Sequence, residues 1–433
     1  MNNLIKILIF FIFFSGCSFN SDSKFWSKSK KIKNNQRSIV NELFKPEEAR
    51  KLEFNSNFYL KVSRKSINNK FTNNQNNHGR TNYIGNLKSI SKYKFSKIKF
   101  FYEFEPELIF DNNDLIFFDN NGAILKFDKS SKLIWKKNHY IKSEKKLNPL
   151  LHMASNENIL VIADSISKYY ALDIISGELL WSKNNDAAFI SEVKIQKDKF
   201  FVIDSNNVLR CFSLKDGSQI WEYKSENRVI KSQKKLSIAI INNIVVFNNS
   251  VGDINALDIA SGDLLWIAPT ASGESIAESF LLRISDLVIK DNIVFFSTNK
   301  NEFYALSANT GIELWKQKIN SDLRPIIVDN LVFTISLEGF LFILEKDTGN
   351  IIRITDIFNG FKFKKRKKIK PIGFMIGLNE IFLSTSNGRL IIIDIITGKI
   401  KSILKIDNQK ISRPFISNNN LFVVKNNSII KLN

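Results

Sequence analysis

The stretch Ala256-Leu257-Asp258-Ile259-Ala260-Ser261-Gly262-Asp263-Leu264-Leu265-Trp266 returns along the chain in one frame. It recurs from Ala171 to Trp181, from Cys211 to Trp221 and from Ala305 to Trp315, each time with glycine four residues before the tryptophan. A fifth copy, one residue shorter, ends at Trp135. Two more keep the glycine, at Gly349 and Gly398, but carry Arg353 and Ser402 where tryptophan would fall. The seven copies lie 38 to 49 residues apart, a period at which each repeat is one supersecondary unit that buries its apolar face against its neighbours.

Each repeat has the same internal order. An apolar run such as Ile293-Val294-Phe295-Phe296-Ser297 leads through a polar turn into Glu302 to Leu306. The Ser/Thr-Gly turn and the tryptophan strand follow, with glycine where φ must be positive. A further strand precedes these three and often opens at proline: Pro106, Pro149, Pro325, Pro371 and Pro414. Four strands in about 44 residues make a propeller blade. The predicted fold is all-β, an eight-bladed β-propeller over residues 86–433, with seven blades as the competing count. Residues 414–433 supply only three strands, so an N-terminal strand, predicted at Lys97–Phe104, closes the last blade and removes its open edge.

Ahead of the repeats, residues 1–16 read as a signal peptide. Lys6 supplies the positive charge, and Ile7 to Phe14 are too short to span a bilayer. Residues 17–85 are rich in Asn, Lys and Ser, and contain 14 basic and 5 acidic residues. Such a segment cannot bury enough apolar surface to offset its ordering entropy, and it reads as a flexible basic tether.

The whole chain has 433 residues and a formal charge of +21. That excess fits an anionic partner or a coding bias toward lysine. Three histidines and two cysteines exclude a His- or Cys-rich metal centre and any disulfide scaffold. The acidic residues Asp111, Asp164, Asp204 and Asp291 flank strands, where solvated turns are expected, and no metal-ligand spacing appears. The densest basic run, Lys362 to Lys370, reads as a solvated loop or a surface for anionic lipid headgroups. It stands on no nucleic-acid fold.

Phe14-Ser15-Gly16-Cys17 resembles the lipobox of bacterial lipoproteins. That resemblance implies cleavage before Cys17, lipidation of its thiol and, with Ser18 next, sorting to the outer membrane. The repeat itself resembles the tryptophan-docking motif of the quinoprotein propellers. It assigns Trp135, Trp181, Trp221, Trp266 and Trp315 to packing between blades, and puts Cys211 in the place of a small core alanine. Within those propellers, the lipobox, basic tether, eight blades and split last blade are together similar to the BamB-like lipoproteins of the outer-membrane β-barrel assembly machinery. This implies a non-catalytic, cofactor-free scaffold facing the periplasm, lipid-anchored, whose partners are the barrel-assembly subunit and nascent outer-membrane proteins. Leu282-Arg283-Ile284-Ser285-Asp286 resembles a stretch bordering that family's partner surface, making Arg283, Ser285 and Asp286 the partner-binding candidates. The alternative for this loop is a structural salt bridge. Two other functions stay open: a pyrroloquinoline-quinone dehydrogenase, against which the absence of vicinal cysteines and long insertions counts, and a ligand-binding propeller lipoprotein unrelated to barrel assembly.

Overall fold

Four-stranded antiparallel sheets repeat eight times in the computed structural model, which describes residues 52–63, 75–99, 101–228, 232–270 and 281–433. The chain divides into two units, residues 1–48 and 49–433, and every described residue belongs to the second. Cys17 and the signal peptide lie outside the described residues. In seven of the sheets the strands run in chain order, as in Ile238–Ile241, Ile244–Asn248, Asp253–Asp258 and Leu264–Pro269. The innermost strands are short and apolar because they converge on the axis. They begin at Ile109, Leu151, Lys194, Ile238, Val288, Ile326, Pro371 and Phe415, and five of these lie within three residues of the prolines expected to open them.

The eighth sheet is closed by an N-terminal strand, but not the one expected. Ser89–Lys94 pairs antiparallel with Ser428–Leu432, with Tyr93 opposite Ile429. In the predicted closing segment, Lys97–Phe104, the described residues form no strand, and Ile98, Phe101 and Phe104 are buried in the core shared with the first blade.

The repeat explains the blade-to-blade packing. Ala256 lies opposite Trp266 in the ladder, and the register slips by one residue just past that pair. The same slip follows the matching pair in each of the first seven blades. The bulge turns the indole toward the next blade. There its Nε1 donates to a backbone carbonyl: Trp181 to Leu214 at 3.1 Å, Trp221 to Ile259 at 3.0 Å, Trp266 to Ala308 at 2.9 Å and Trp315 to Lys346 at 2.9 Å. Each acceptor sits at the same step of its own repeat. The turn glycine of the accepting blade lies under the ring. Gly311 has φ +71°, and a Cβ there would come within 2.5 Å of Trp266. Trp135 packs in the same way over Gly177. Cys211 faces Trp221 and is fully buried, and burial pushes its thiol up to about 12, so it behaves as a small core residue.

Part of the segment read as tether lies against the propeller. Phe54 exchanges backbone hydrogen bonds with Ile354 on the outer strand of the sixth blade. Residues 75–83 run along the inner strands. Ile240 N donates to the Gln75 carbonyl, Ile289 N to that of Asn76, and Thr81 N to that of Ile376. A polar segment can be ordered here because the open ends of the inner strands supply the backbone partners that its side chains do not need to provide.

Candidate functional site

The inner strands of a propeller point their first residues at one mouth of the axial channel and their last at the other. At the second mouth, residues 75–83 lie across the channel, and the Asn77 side chain reaches inward. Its Nδ2 donates to Glu192 Oε1 at 3.0 Å, to the Ile238 carbonyl at 3.0 Å and to the Leu287 carbonyl at 2.8 Å. Its Oδ1 accepts from Lys194 Nζ at 2.6 Å. Asn77 is completely buried, so this end of the channel is stoppered by the chain itself.

The first mouth carries charge. Glu107, from the first blade, is met by Lys235 from the fourth at 2.9 Å and by Arg413 from the eighth. Asp286, from the fifth blade, accepts from Arg324 Nε of the sixth at 2.7 Å. Arg324 also lies 3.8 Å from Glu107 and 3.9 Å from Glu192. Burial alone would raise both carboxyl groups. Arg413, Lys235 and Arg324 outweigh it for Glu107, as Arg324 and Lys235 do for Asp286, and both are held far below the usual carboxylate range. Lys235 is raised in turn: its burial is outweighed chiefly by Glu107. These residues form an ionic ring that ties non-adjacent blades across the channel.

Among the partner-binding candidates, Arg283 reaches solvent, with its side chain 52% exposed. Its Nε donates to Asp322. Ser285 and Asp286 are turned inward. Ser285 Oγ donates to the Asp286 carbonyl and accepts from Ser297 N at 2.9 Å. Arg283 and Asp286 do not pair with each other. Each is bound by the connection into the sixth blade, through Asp322 and Arg324. Arg283, Asp286 and these two partners border a cavity of about 430 Å³ in the first mouth.

Sequence reasoning found Asp286 but missed the rest of the ring. The signal was present: Glu107 follows Pro106, Arg324 precedes Pro325, and Arg413 precedes Pro414. A charge beside a strand-opening proline marks the mouth in this chain. Two of the acidic residues expected in solvated turns are instead fully buried. Asp164 accepts from Tyr140 Oη at 2.5 Å, and Asp204 from Arg210 Nε at 3.0 Å. In the basic run, Arg366 is bound to Asp356 at 2.6 Å.

The dehydrogenase branch of the quinoprotein propellers would require a channel carboxylate free for calcium. Here Glu107, Glu192 and Asp286 are all committed to lysine or arginine, and this donor set does not fit the metal. Among the described residues no group of three or more His, Cys, Asp or Glu side chains converges as a metal site.

Comparison with known proteins places the fold. The family model described as outer membrane protein assembly factor BamB matches residues 120–355, more than half of the chain. The protein of that name from Shewanella oneidensis is 21% identical over 224 residues, which cover 44% of this chain and 52% of the relative. This chain therefore spans about half the length of that curated relative. The crystal structure of BamB from Moraxella catarrhalis superposes with a TM-score of 0.65 at 15% identity, over 80% of this chain and all of that one. Quinohemoprotein alcohol dehydrogenase from Comamonas testosteroni superposes with a TM-score of 0.62 at 10% identity, over 82% of this chain and 78% of that chain. At such identities the likeness to solved structures is one of fold.

Proposed function

As the chain belongs to the family of outer membrane protein assembly factor BamB, we propose that it is a non-catalytic scaffold lipoprotein of the outer-membrane β-barrel assembly machinery. It faces the periplasm, is anchored through lipid on Cys17, and binds the barrel-assembly subunit through its inter-blade loops. The observation that carries this reading is the family match over residues 120–355, which spans the four closest copies of the repeat. The ionic ring supports it, because a channel whose carboxylates are neutralised by fixed cations offers a rigid rim rather than a base or a metal site. In this reading Arg283 is the surface contact. Ser285 and Asp286 hold its loop in place.

Affinity purification of the lipidated protein from membranes tests the partner. Recovery of the barrel-assembly subunit is expected, with weakened recovery for Arg283→Glu. A reproducible absence of that subunit overturns the reading. Cys17→Ala should abolish acylation, as read by mass spectrometry of the mature N-terminus. The dehydrogenase reading is favoured by fold neighbours such as the enzyme from Comamonas testosteroni. A bound quinone chromophore with alcohol-dependent dye reduction, after reconstitution with pyrroloquinoline quinone and Ca²⁺, would establish it instead.

A further inference from the structure

The charges at the open mouth form two layers of different character. The deeper layer, built on Glu107, Asp286 and Glu192, binds its cations closely, as described above. The outer layer is not matched. Arg283 and Lys234 share Asp322, the first through its carboxylate and the second through its backbone carbonyl. Lys410 is half-buried, and its ammonium donates to the Tyr102 carbonyl at 2.7 Å with no carboxylate within ion-pair distance among the described residues. Lys370 is exposed beside them on the same cavity wall. Among the described residues, four cations of the outer layer thus face two carboxylates, those of Asp322 and Glu105. The wall between them is apolar, formed by Phe104, Leu323, Leu337 and Phe374. The opposite mouth is stoppered by residues 75–83, so whatever enters this cavity must come and leave by the charged side.

From this geometry we propose that the open mouth is a binding site for a small amphipathic anion: a carboxylate or phosphate head against Lys410, with an apolar body against Phe104 and Phe374. A bare ion would not use the site. About 430 Å³ is far more than an inorganic anion fills and lies in the range of small-molecule pockets. Lys410 is the residue expected to bear the head group, since it is the cation with most to gain from a counter-charge. Burial holds its ammonium below the usual lysine range. The proposal rests on the chemistry of the mouth and not on the partner reading, so it stands if the barrel-assembly subunit is not recovered.

The test is calorimetric titration of the full chain, as its non-lipidated Cys17→Ala form, with octanoate, octyl phosphate and inorganic phosphate at low ionic strength. Octanoate and octyl phosphate are expected to bind one to one, and inorganic phosphate at least tenfold more weakly. The two amphiphiles separate a carboxylate from a phosphate source by which binds more tightly. Lys410→Met should weaken both by roughly tenfold or more, the loss of one charge-assisted contact. Lys410→Arg should restore binding, and Lys365→Met, in the exposed basic run, should leave it unchanged. Thermal unfolding of each variant confirms that it is folded. Equal binding by wild type and Lys410→Met, equal affinity for inorganic phosphate, or no binding of either amphiphile by the wild type would each overturn the proposal.

Discussion

Arg353 stands where the repeat asks for tryptophan, and it makes the contact a tryptophan would make. It lies opposite Ile343 at the step where Trp315 faces Ala305. Its Nη2 donates to the Ile395 carbonyl at 3.3 Å, the same step of the repeat at which Trp315 finds Lys346. A second nitrogen donates to the Phe58 carbonyl at 2.9 Å, which fastens the N-terminal segment to the sixth blade. Burial lowers this guanidinium to about 10, still charged at neutral pH. The two kinds of docking residue should therefore fail differently. Trp266→Ala leaves a cavity between the fourth and fifth blades and should cost about 3–5 kcal/mol in urea unfolding. An unchanged midpoint would mean that the indole is not inter-blade core. Arg353→Trp should keep the blade contact but lose the donor to Phe58. Global stability should then change little, while limited proteolysis near residues 54–60 accelerates. Cleavage at the wild-type rate would show that Arg353 does not hold that segment.

The closing strand shows what the sequence could and could not reveal about an element. The repeat unit, the blade count and the inner strands were legible because their apolar runs and positive-φ glycines recur in register. Ser89–Lys94 was not, because an outer strand is exposed on both faces: of its six residues only Tyr93 is buried. Hydrophobic pattern therefore favoured the neighbouring Lys97–Phe104, whose Phe101 and Phe104 are core without being strand. The ionic ring stayed hidden for a related reason, since its members come from six blades and no local spacing joins them. Tyr93 turns out to be the docking residue of the eighth blade. Its hydroxyl points to the Lys129 carbonyl at 3.4 Å, which is the first blade's equivalent of Lys346 and Ile395. Ser131, at φ +69°, holds the glycine's conformation there. Tyr93→Ala should thus open the ring at its seam and cost about 3–5 kcal/mol, whereas Tyr93→Phe, which loses only a long hydrogen bond, should cost about 1 kcal/mol or less. Equal unfolding midpoints for Tyr93→Ala and wild type would show that the seam is held elsewhere.

For the whole molecule, burial of ionisable groups around a closed ring makes stability depend on pH with a definite sign. All three histidines are lowered by the fold: His78 to about 4 and His152 to about 3, both chiefly by burial, and the half-buried His139 to a lesser degree. Unfolded, each would bind a proton near pH 6.5. The unfolded chain therefore holds more protons than the folded one below that pH, and stability must fall as pH drops from about 6.5 toward 4. With His78 and His152 both refusing the proton, the slope should approach about 2–3 kcal/mol per pH unit below pH 6. Below about pH 4.5 the ring adds to it. Glu107 and Asp286 are depressed in the folded state, so they stay ionised while the unfolded chain is protonated, and their contribution is lost as pH falls further. Urea unfolding at intervals between pH 7.5 and 3.5 measures this directly. The midpoint should hold steady above pH 7 and decline below 6.5. His152→Gln should remove roughly half of the decline between pH 6.5 and 5 while leaving the steeper loss below 4.5, because the two arise from different groups. A wild-type midpoint that stays level from pH 7 to 5 would mean that the histidines take up protons freely in the folded ring, and that neither His152 beside Lys235 nor His78 beneath the stoppered mouth is enclosed as this structure places them.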